Sequence, residues 1–298
     1  MTYICNLIIL LFSILLISSK SYSDDKFPLL EGPYLGQKPP GSVPKIFAPG
    51  YVSTKHRDHS GFFSPDMKAF YFTRKNVYSE KWSLIRFKLE NNRWHPSVMG
   101  PRVGRPILSP DGKIMHLGNK YMKRNGDGWS EVKSLGRMFE REDWGIMRLS
   151  ASAKGTYVFD DYKSNDVLRI STIKNGERQP PRPLTPQINE GKWTAHPFIA
   201  PDESYLIWDS EKDDGYGGTD LYISFRQRDD SWGKAINLGA TINTSGTEGG
   251  AYVSPDGNYL FFNRTSVQVN EERDVEGDIY WVDAQVIWDL KSRQGLIR

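Results

Sequence analysis

Five stretches of this sequence place a polar or charged side chain four to seven residues ahead of a recurring turn: His59, Arg105, Asp143 with Trp144, His196 and Glu248. Gathered on one axis, these groups would line a pocket for a polar or anionic ligand, such as a glycan or a peptide end. Two further chemistries use the same residues. His59 and His196 with a carboxylate carry the donor types of a metal site. Asp143 facing Glu248, with His196 as acid, base or ligand, has the groups of a polysaccharide hydrolase or lyase. The plainer alternative is that Arg105, Asp143 and Glu248 pair with one another in a solvated channel while the two histidines finish strand ends. Spacing does not single out a metal. His56-x-x-His59 is the one close histidine pair, and on an extended segment its members point to opposite faces.

Other chemistries have less to stand on. The sole cysteine, Cys5, lies in the N-terminal leader, and there is no Gly-x-Ser-x-Gly elbow, so thiol and hydrolase-type serine nucleophiles are excluded. Between Asp209 and Asp220 a glycine-bearing loop holds Glu211, Asp213 and Asp214, hard oxygen donors of the kind calcium takes. It lacks the regular Asp-x-Asp-x-Asp-Gly order, and a plain connector is the expected use. No cofactor and no metal is assigned.

The turn that sets the register recurs as Ser64-Pro65-Asp66, Ser109-Pro110-Asp111, Ala200-Pro201-Asp202 and Ser254-Pro255-Asp256, with a degenerate copy at Ser150-Ala151-Ser152. Two mostly apolar residues precede each regular copy, and Phe70-Tyr71-Phe72, Met115-His116-Leu117, Leu206-Ile207-Trp208 or Leu260-Phe261-Phe262 follows. This predicts strand, tight turn, strand: proline fixes one corner, aspartate bonds backbone two residues on, and Gly112 or Gly257 accepts a positive φ. A third strand comes next (Leu84–Phe87, Tyr121–Lys123, Val167–Ile170, Leu221–Ile223, Ile279–Val282). A polar hairpin then ends in Trp94, Trp129 or Trp232, read as packing residues, and a fourth strand follows at Val132–Leu135 and Ala235–Leu238. Four short antiparallel strands in a unit of roughly 40 to 50 residues is a propeller blade. Helical periodicity of useful length is absent.

The fold expected is all-β, a single five-bladed propeller over residues 43–288. The segment Lys45-Ile46-Phe47-Ala48 should close the ring as the outer strand of the last blade, since closure leaves no open sheet edge. Six blades is the alternative, if the lead-in (residues 24–42) or the insert from Gln268 to Glu276 hides a further unit. Residues 289–298 form a tail.

Thr219-Asp220-Leu221-Tyr222-Ile223-Ser224, Trp232, Ile236-Asn237-Leu238-Gly239, Ile242-Asn243-Thr244, Glu248 and Ser254-Pro255-Asp256-Gly257 together resemble the WD40-like β-propeller repeat, as found in the TolB propeller and many exported bacterial proteins. The resemblance implies fold over nearly the whole mature chain and leaves function open, because such propellers serve as periplasmic scaffolds, sugar-polymer lyases and peptidase lids. The repeats are expected to stand alone, without a TolB-type N-terminal domain or a following peptidase domain.

Residues 1–23 read as a secretory signal peptide: Leu7 to Ile17 is almost unbroken apolar, and Ser21-Tyr22-Ser23 offers a small-x-small cleavage site before Asp24, although a positively charged start is missing. An apolar run of about 11 residues is short for a bilayer, so stable membrane insertion after cleavage is not expected. The whole sequence of 298 residues has 38% apolar, 13% aromatic and 25% charged residues, a globular composition. A net charge of +3 without clustered Lys/Arg argues against nucleic acid. The resulting expectation is a monomeric periplasmic or secreted module. It would bind a protein or glycan polymer of the cell envelope at its channel mouth, without catalysis, the polysaccharide-active enzyme being the alternative.

Overall fold

The computed structural model describes residues 30–164, 166–265, 277–293 and 295. The segment read as a signal peptide (residues 1–23), the first part of the lead-in and the Gln268–Glu276 insert lie outside the described residues.

The chain is all-β and builds five radial sheets. After β1 (Lys45–Ile46), the first blade is β2 (Arg57–Phe63), β3 (Ala69–Lys75), β4 (Trp82–Glu90) and β5 (Arg93–Pro101). The second comprises β6 (Pro106–Leu108), β7 (Ile114–Leu117), β8 (Lys120–Asn125), the short β9 (Gly128–Trp129) and β10 (Lys133–Ser134). The third is β11 (Leu149–Ala151), β12 (Tyr157–Asp161), β13 (Val167–Ser171) and β16 (Arg182–Pro183), with a side hairpin of β14 (Ile173–Lys174) and β15 (Glu177–Arg178). The fourth has β17 (Lys192–Ile199), β18 (Tyr205–Glu211), β19 (Asp220–Phe225) and β20 (Ile236–Asn237). The fifth has β21 (Thr247–Val253), β22 (Tyr259–Thr265) and β23 (Gly277–Asp283), and β1 completes it. Lys45 pairs with Trp281 and Ile46 with Tyr280, so the ring closes through the N-terminal strand as the sequence leads one to expect. Five blades, not six, are present among the described residues.

Blade strands are buried on both faces because each sheet is sandwiched between neighbours, and β3 accordingly reads Ala-Phe-Tyr-Phe-Thr without alternation. Where the ring closes, Phe47 is fully buried against Phe63, Phe70, Phe261 and Trp281, with ring centroids 4.9 to 6.2 Å away. The lead-in straps the same seam. Leu35 is buried, Trp94 Nε1 donates to the Gly32 carbonyl at 2.7 Å, and the Asp283 N–H reaches the Gly41 carbonyl.

The turn works as its chemistry suggests. Ser64 Oγ donates to Asp66 and accepts the Ala69 N–H at 2.8 Å, and Ser109 and Ser254 repeat the arrangement. The fourth residue of every turn has positive φ: Met67, Gly112, Gly155, Glu203 and Gly257. Glycine takes this conformation freely, whereas at Met67 and Glu203 a side chain accepts it at a cost of about 1 kcal/mol.

Two details differ from the sequence reading. The degenerate third copy is Ser152-Ala153-Lys154, two residues later than Ser150-Ala151-Ser152. The Ser152 N–H donates to the Thr156 carbonyl and its hydroxyl accepts the Thr156 N–H, and with no aspartate following, that hydroxyl donates instead to Glu203 of the next blade at 2.7 Å. The second is a helix, α1 (Gln285–Arg293), just after β23. Asp283 takes the Gln285 N–H, Ile287 is buried, Val286 and Leu290 pack on the core, and Trp288 meets Tyr205 edge-on. With so few turns its apolar stripe is too brief to stand out as periodicity.

Candidate functional site at the channel mouth

Each inner strand (β2, β6, β11, β17, β21) runs from one face of the ring down to its Ser-Pro-Asp-type turn. In β2, β17 and β21 a bulge interrupts the ladder, and its residue has positive φ: Ser60, His196 and Gly250. A bulge leaves an N–H without a ladder partner. Here a polar side chain on the second strand of the preceding blade accepts it. Ser60 N–H goes to Asn263 Oδ1 at 3.0 Å, His196 N–H to Asp160 at 3.1 Å, and Gly250 N–H to Asp209 at 2.9 Å. Asp160 also accepts the Met147 and Arg148 N–H groups. The ring is thus stitched at its axis by carboxylates and an amide.

Counted four residues ahead of the turn, the axial positions are Ser60, Arg105, Arg148, His196 and Gly250. Three consecutive blades therefore contribute Arg105, Arg148 and His196. Arg148 is only 1% exposed. It reaches from the third blade towards the fifth, since a Cβ on Gly250 would stand 3.6 Å from Arg148 Nη1, and its Nε and Nη1 have no hydrogen-bond partner. No acidic group among the described residues lies within 4 Å of Arg105 or Arg148. Burial lowers the Arg148 guanidinium to about 10, the Asp209 charge opposing that shift and Arg105 adding to it, so it stays charged at neutral pH.

His196 Nδ1 lies 2.9 Å from Asp209, while its Nε2 is buried without a partner. His59, 6% exposed, accepts the Arg57 Nε–H on Nε2 at 3.3 Å, which puts the proton of the neutral ring on the unpartnered Nδ1. Burial, with Arg105 and Arg57 beside it, holds His59 well below the usual histidine range. Burial likewise lowers Arg105, against the opposing charges of Asp209 and Asp160, and brings Arg102 to about 10. Around the two axial carboxylates the mouth collects four arginines, Arg57, Arg102, Arg105 and Arg148. The electrostatic balance is cationic.

The sequence-derived candidates divide into two groups. His59, Arg105 and His196 come together at the axis. Glu248 is fully buried one step away, held by Arg264 at 2.8 Å and by Thr244, an arrangement repeated at Asp58 with Arg74 and Thr54. Asp143 is exposed and forks onto Arg141 at 2.6 and 2.9 Å, and Trp144 lies between Arg141 and Arg169. Asp143 and Glu248 each pair with an arginine of their own locality. In the acidic loop, Asp209 turns to His196, Asp220 accepts the Tyr216 N–H and the Asn237 amide, and no three metal-ligating side chains gather among the described residues. No described helix is long and apolar enough to cross a membrane.

Sequence reasoning passes over Arg148, Asp160 and Asp209 as site residues. Arg148 follows from the four-residue offset once the third turn is counted from Ser152. Asp160 and Asp209 stand where Thr73 and Asn263 stand, the first polar residue after each second strand's apolar run.

No family model matches the sequence, and no curated protein does. Among solved structures, TolB from Acinetobacter baumannii is similar over 77% of this chain and 55% of its own, at 13% identity and TM-score 0.43. The chain thus matches about half the length of TolB. An α-L-arabinofuranosidase from Podospora anserina in complex with cellotriose is similar over 84% and 94%, at 11% identity and TM-score 0.47. The catalytic domain of a Coprinopsis cinerea GH62 α-L-arabinofuranosidase is similar over 85% and 95%, at 9% identity and TM-score 0.48. The propeller architecture rests on the sheet order above rather than on these likenesses.

Proposed function

We propose that this protein is an exported binding propeller of the WD40-like type that takes an acidic group of an envelope polymer or protein partner into its channel mouth. The observation that carries the reading is the buried Arg148 guanidinium, with two nitrogens unpartnered and Arg105 beside it. Burying a charge without hydrogen-bonded partners costs several kcal/mol, which the nearby Asp209 and Asp160 offset only in part, and an anion seated there would offset more of the cost. The cationic mouth also draws acidic partners and repels basic ones. Since Asp143 and Glu248 are each engaged by an arginine, the binding reading is favoured over hydrolysis by that carboxylate pair.

Thermal unfolding of the mature chain in rising concentrations of citrate or sulfate tests it. A ligand that binds only the folded state raises the melting temperature with its concentration. Arg148→Met keeps the aliphatic stem and removes the charge. It should raise the melting temperature without anion and abolish the anion-dependent rise. A wild-type melting temperature that does not respond to anions, or a rise surviving in Arg148→Met, would overturn the proposal.

A further inference from the structure

Strand β17 has a bulge that the other inner strands lack. In β2 and β21 the ladder shifts once, between His59 and Phe62 and between Gly249 and Tyr252. β17 shifts at the corresponding place between Ala195 and Phe198, and again between Lys192 and Ala195. Lys192 pairs with Glu211 and Ala195 with Asp209, so two residues, Trp193 and Thr194, face the single Ser210. Thr194 is buried on the Ser210 hydroxyl. Trp193 is the residue turned out: its φ is 52° and it is 62% exposed.

A left-handed backbone is unfavourable for a bulky residue, and an exposed indole forgoes the burial that tryptophan normally provides. Neither feature serves the core. Among the described residues no ring stacks on Trp193 and no cation lies over it, whereas Arg102 covers Trp82 at 4.1 Å and Arg141 and Arg169 cover Trp144. The indole thus stands bare at the entrance end of the strand, three residues before His196. Bulges characteristically re-aim a side chain beside a functional site.

We infer that Trp193 is a stacking platform for a sugar ring, and that the acidic group taken by the channel belongs to a saccharide such as a uronic acid. This rests on the anion-binding reading above. A flat, unwalled aromatic face suits the apolar face of a pyranose, while an aliphatic side chain needs a concave pocket. The channel cations are enclosed and suit one acidic group, whereas a nucleic acid needs a stripe of cations along its backbone.

Calorimetric titration of the mature chain tests the inference. The probes are tetrasaccharides of galacturonate, mannuronate and glucuronate, with hexaglutamate and oligodeoxythymidylate as the other ligand classes. At least one uronate should bind tenfold or more tighter than the other two classes. Trp193→Ala should weaken that uronate tenfold or more and leave the response to citrate unchanged, and Trp193→Phe should stay within about threefold of wild type. Uronate binding untouched by Trp193→Ala but abolished by Arg105→Ala would overturn the platform and leave the anion site standing. Preference for hexaglutamate or the oligonucleotide would overturn the sugar class. Failure of every anion, citrate included, would instead sink the anion-binding reading itself.

Discussion

The Asp209 carboxylate lies 2.9 Å from His196 Nδ1 on its own blade and at the same distance from the Gly250 N–H on the next, so one side chain orients a channel group and ties two blades together. Asp209→Ala would leave both donors buried and unpartnered, a loss of about 2 to 3 kcal/mol. Asp209→Asn keeps an acceptor and should cost less. Urea unfolding midpoints of the two variants check this, and equal midpoints for Ala and wild type would contradict it.

Ring closure depends on Phe47 more than on the exposed Ile46 beside it. Truncating Phe47, buried among four rings, should cost about 3 to 5 kcal/mol, and Ile46→Ala less than about 1 kcal/mol. Removing residues 24–50 should cost at least as much as Phe47→Ala. A truncated chain melting with the wild type would mean that the ring does not need its closing strand.

Glu248 and Asp143 are predicted to be silent in ligand binding. Glu248→Gln strands Arg264, which keeps some solvent contact, so a loss of about 2 kcal/mol is expected. The exposed Asp143→Asn should leave the unfolding midpoint where it is. Loss of anion binding in either variant would return that carboxylate to the site.

Stability should fall on acidification. Burial, with Arg178 nearby, lowers His116 to about 4, and His59 is depressed as well. Such histidines are neutral in the folded state but take up a proton in the unfolded chain as pH drops below about 6.5. The stability they protect is therefore fully present above about 6.5 and lost as pH falls towards 4, by up to about 3 kcal/mol for His116. Denaturant midpoints at pH 7.5 and 4.5 should differ less in His116→Gln than in wild type. An unchanged difference would locate the acid sensitivity elsewhere.

The fold is legible where its chemistry is local. Ser64-Pro65-Asp66 and its copies announce themselves because hydroxyl, carboxylate and backbone satisfy one another within six residues. The third copy is misread by two positions because its carboxylate, Glu203, comes from another blade. That slip hides Arg148 and moves attention to Asp143. Glu248 misleads for a related reason: its partner Arg264 is sixteen residues away on the next strand, so no short spacing reveals that it is already paired.

The central claim is that the channel mouth binds an acidic group through Arg105 and Arg148. Its most direct test is calorimetry of the mature chain with a galacturonate tetrasaccharide and with hexaglutamate, each beside its neutral methyl ester, repeated with Arg105→Ala. Among the described residues Arg105 makes no ion pair, so Arg105→Ala should leave the unfolding midpoint level or slightly raised. The account predicts that at least one free acid binds with salt-sensitive affinity, that its ester binds tenfold or more weaker, and that Arg105→Ala abolishes binding. Equal affinity for acid and ester, or full binding in Arg105→Ala, would contradict it.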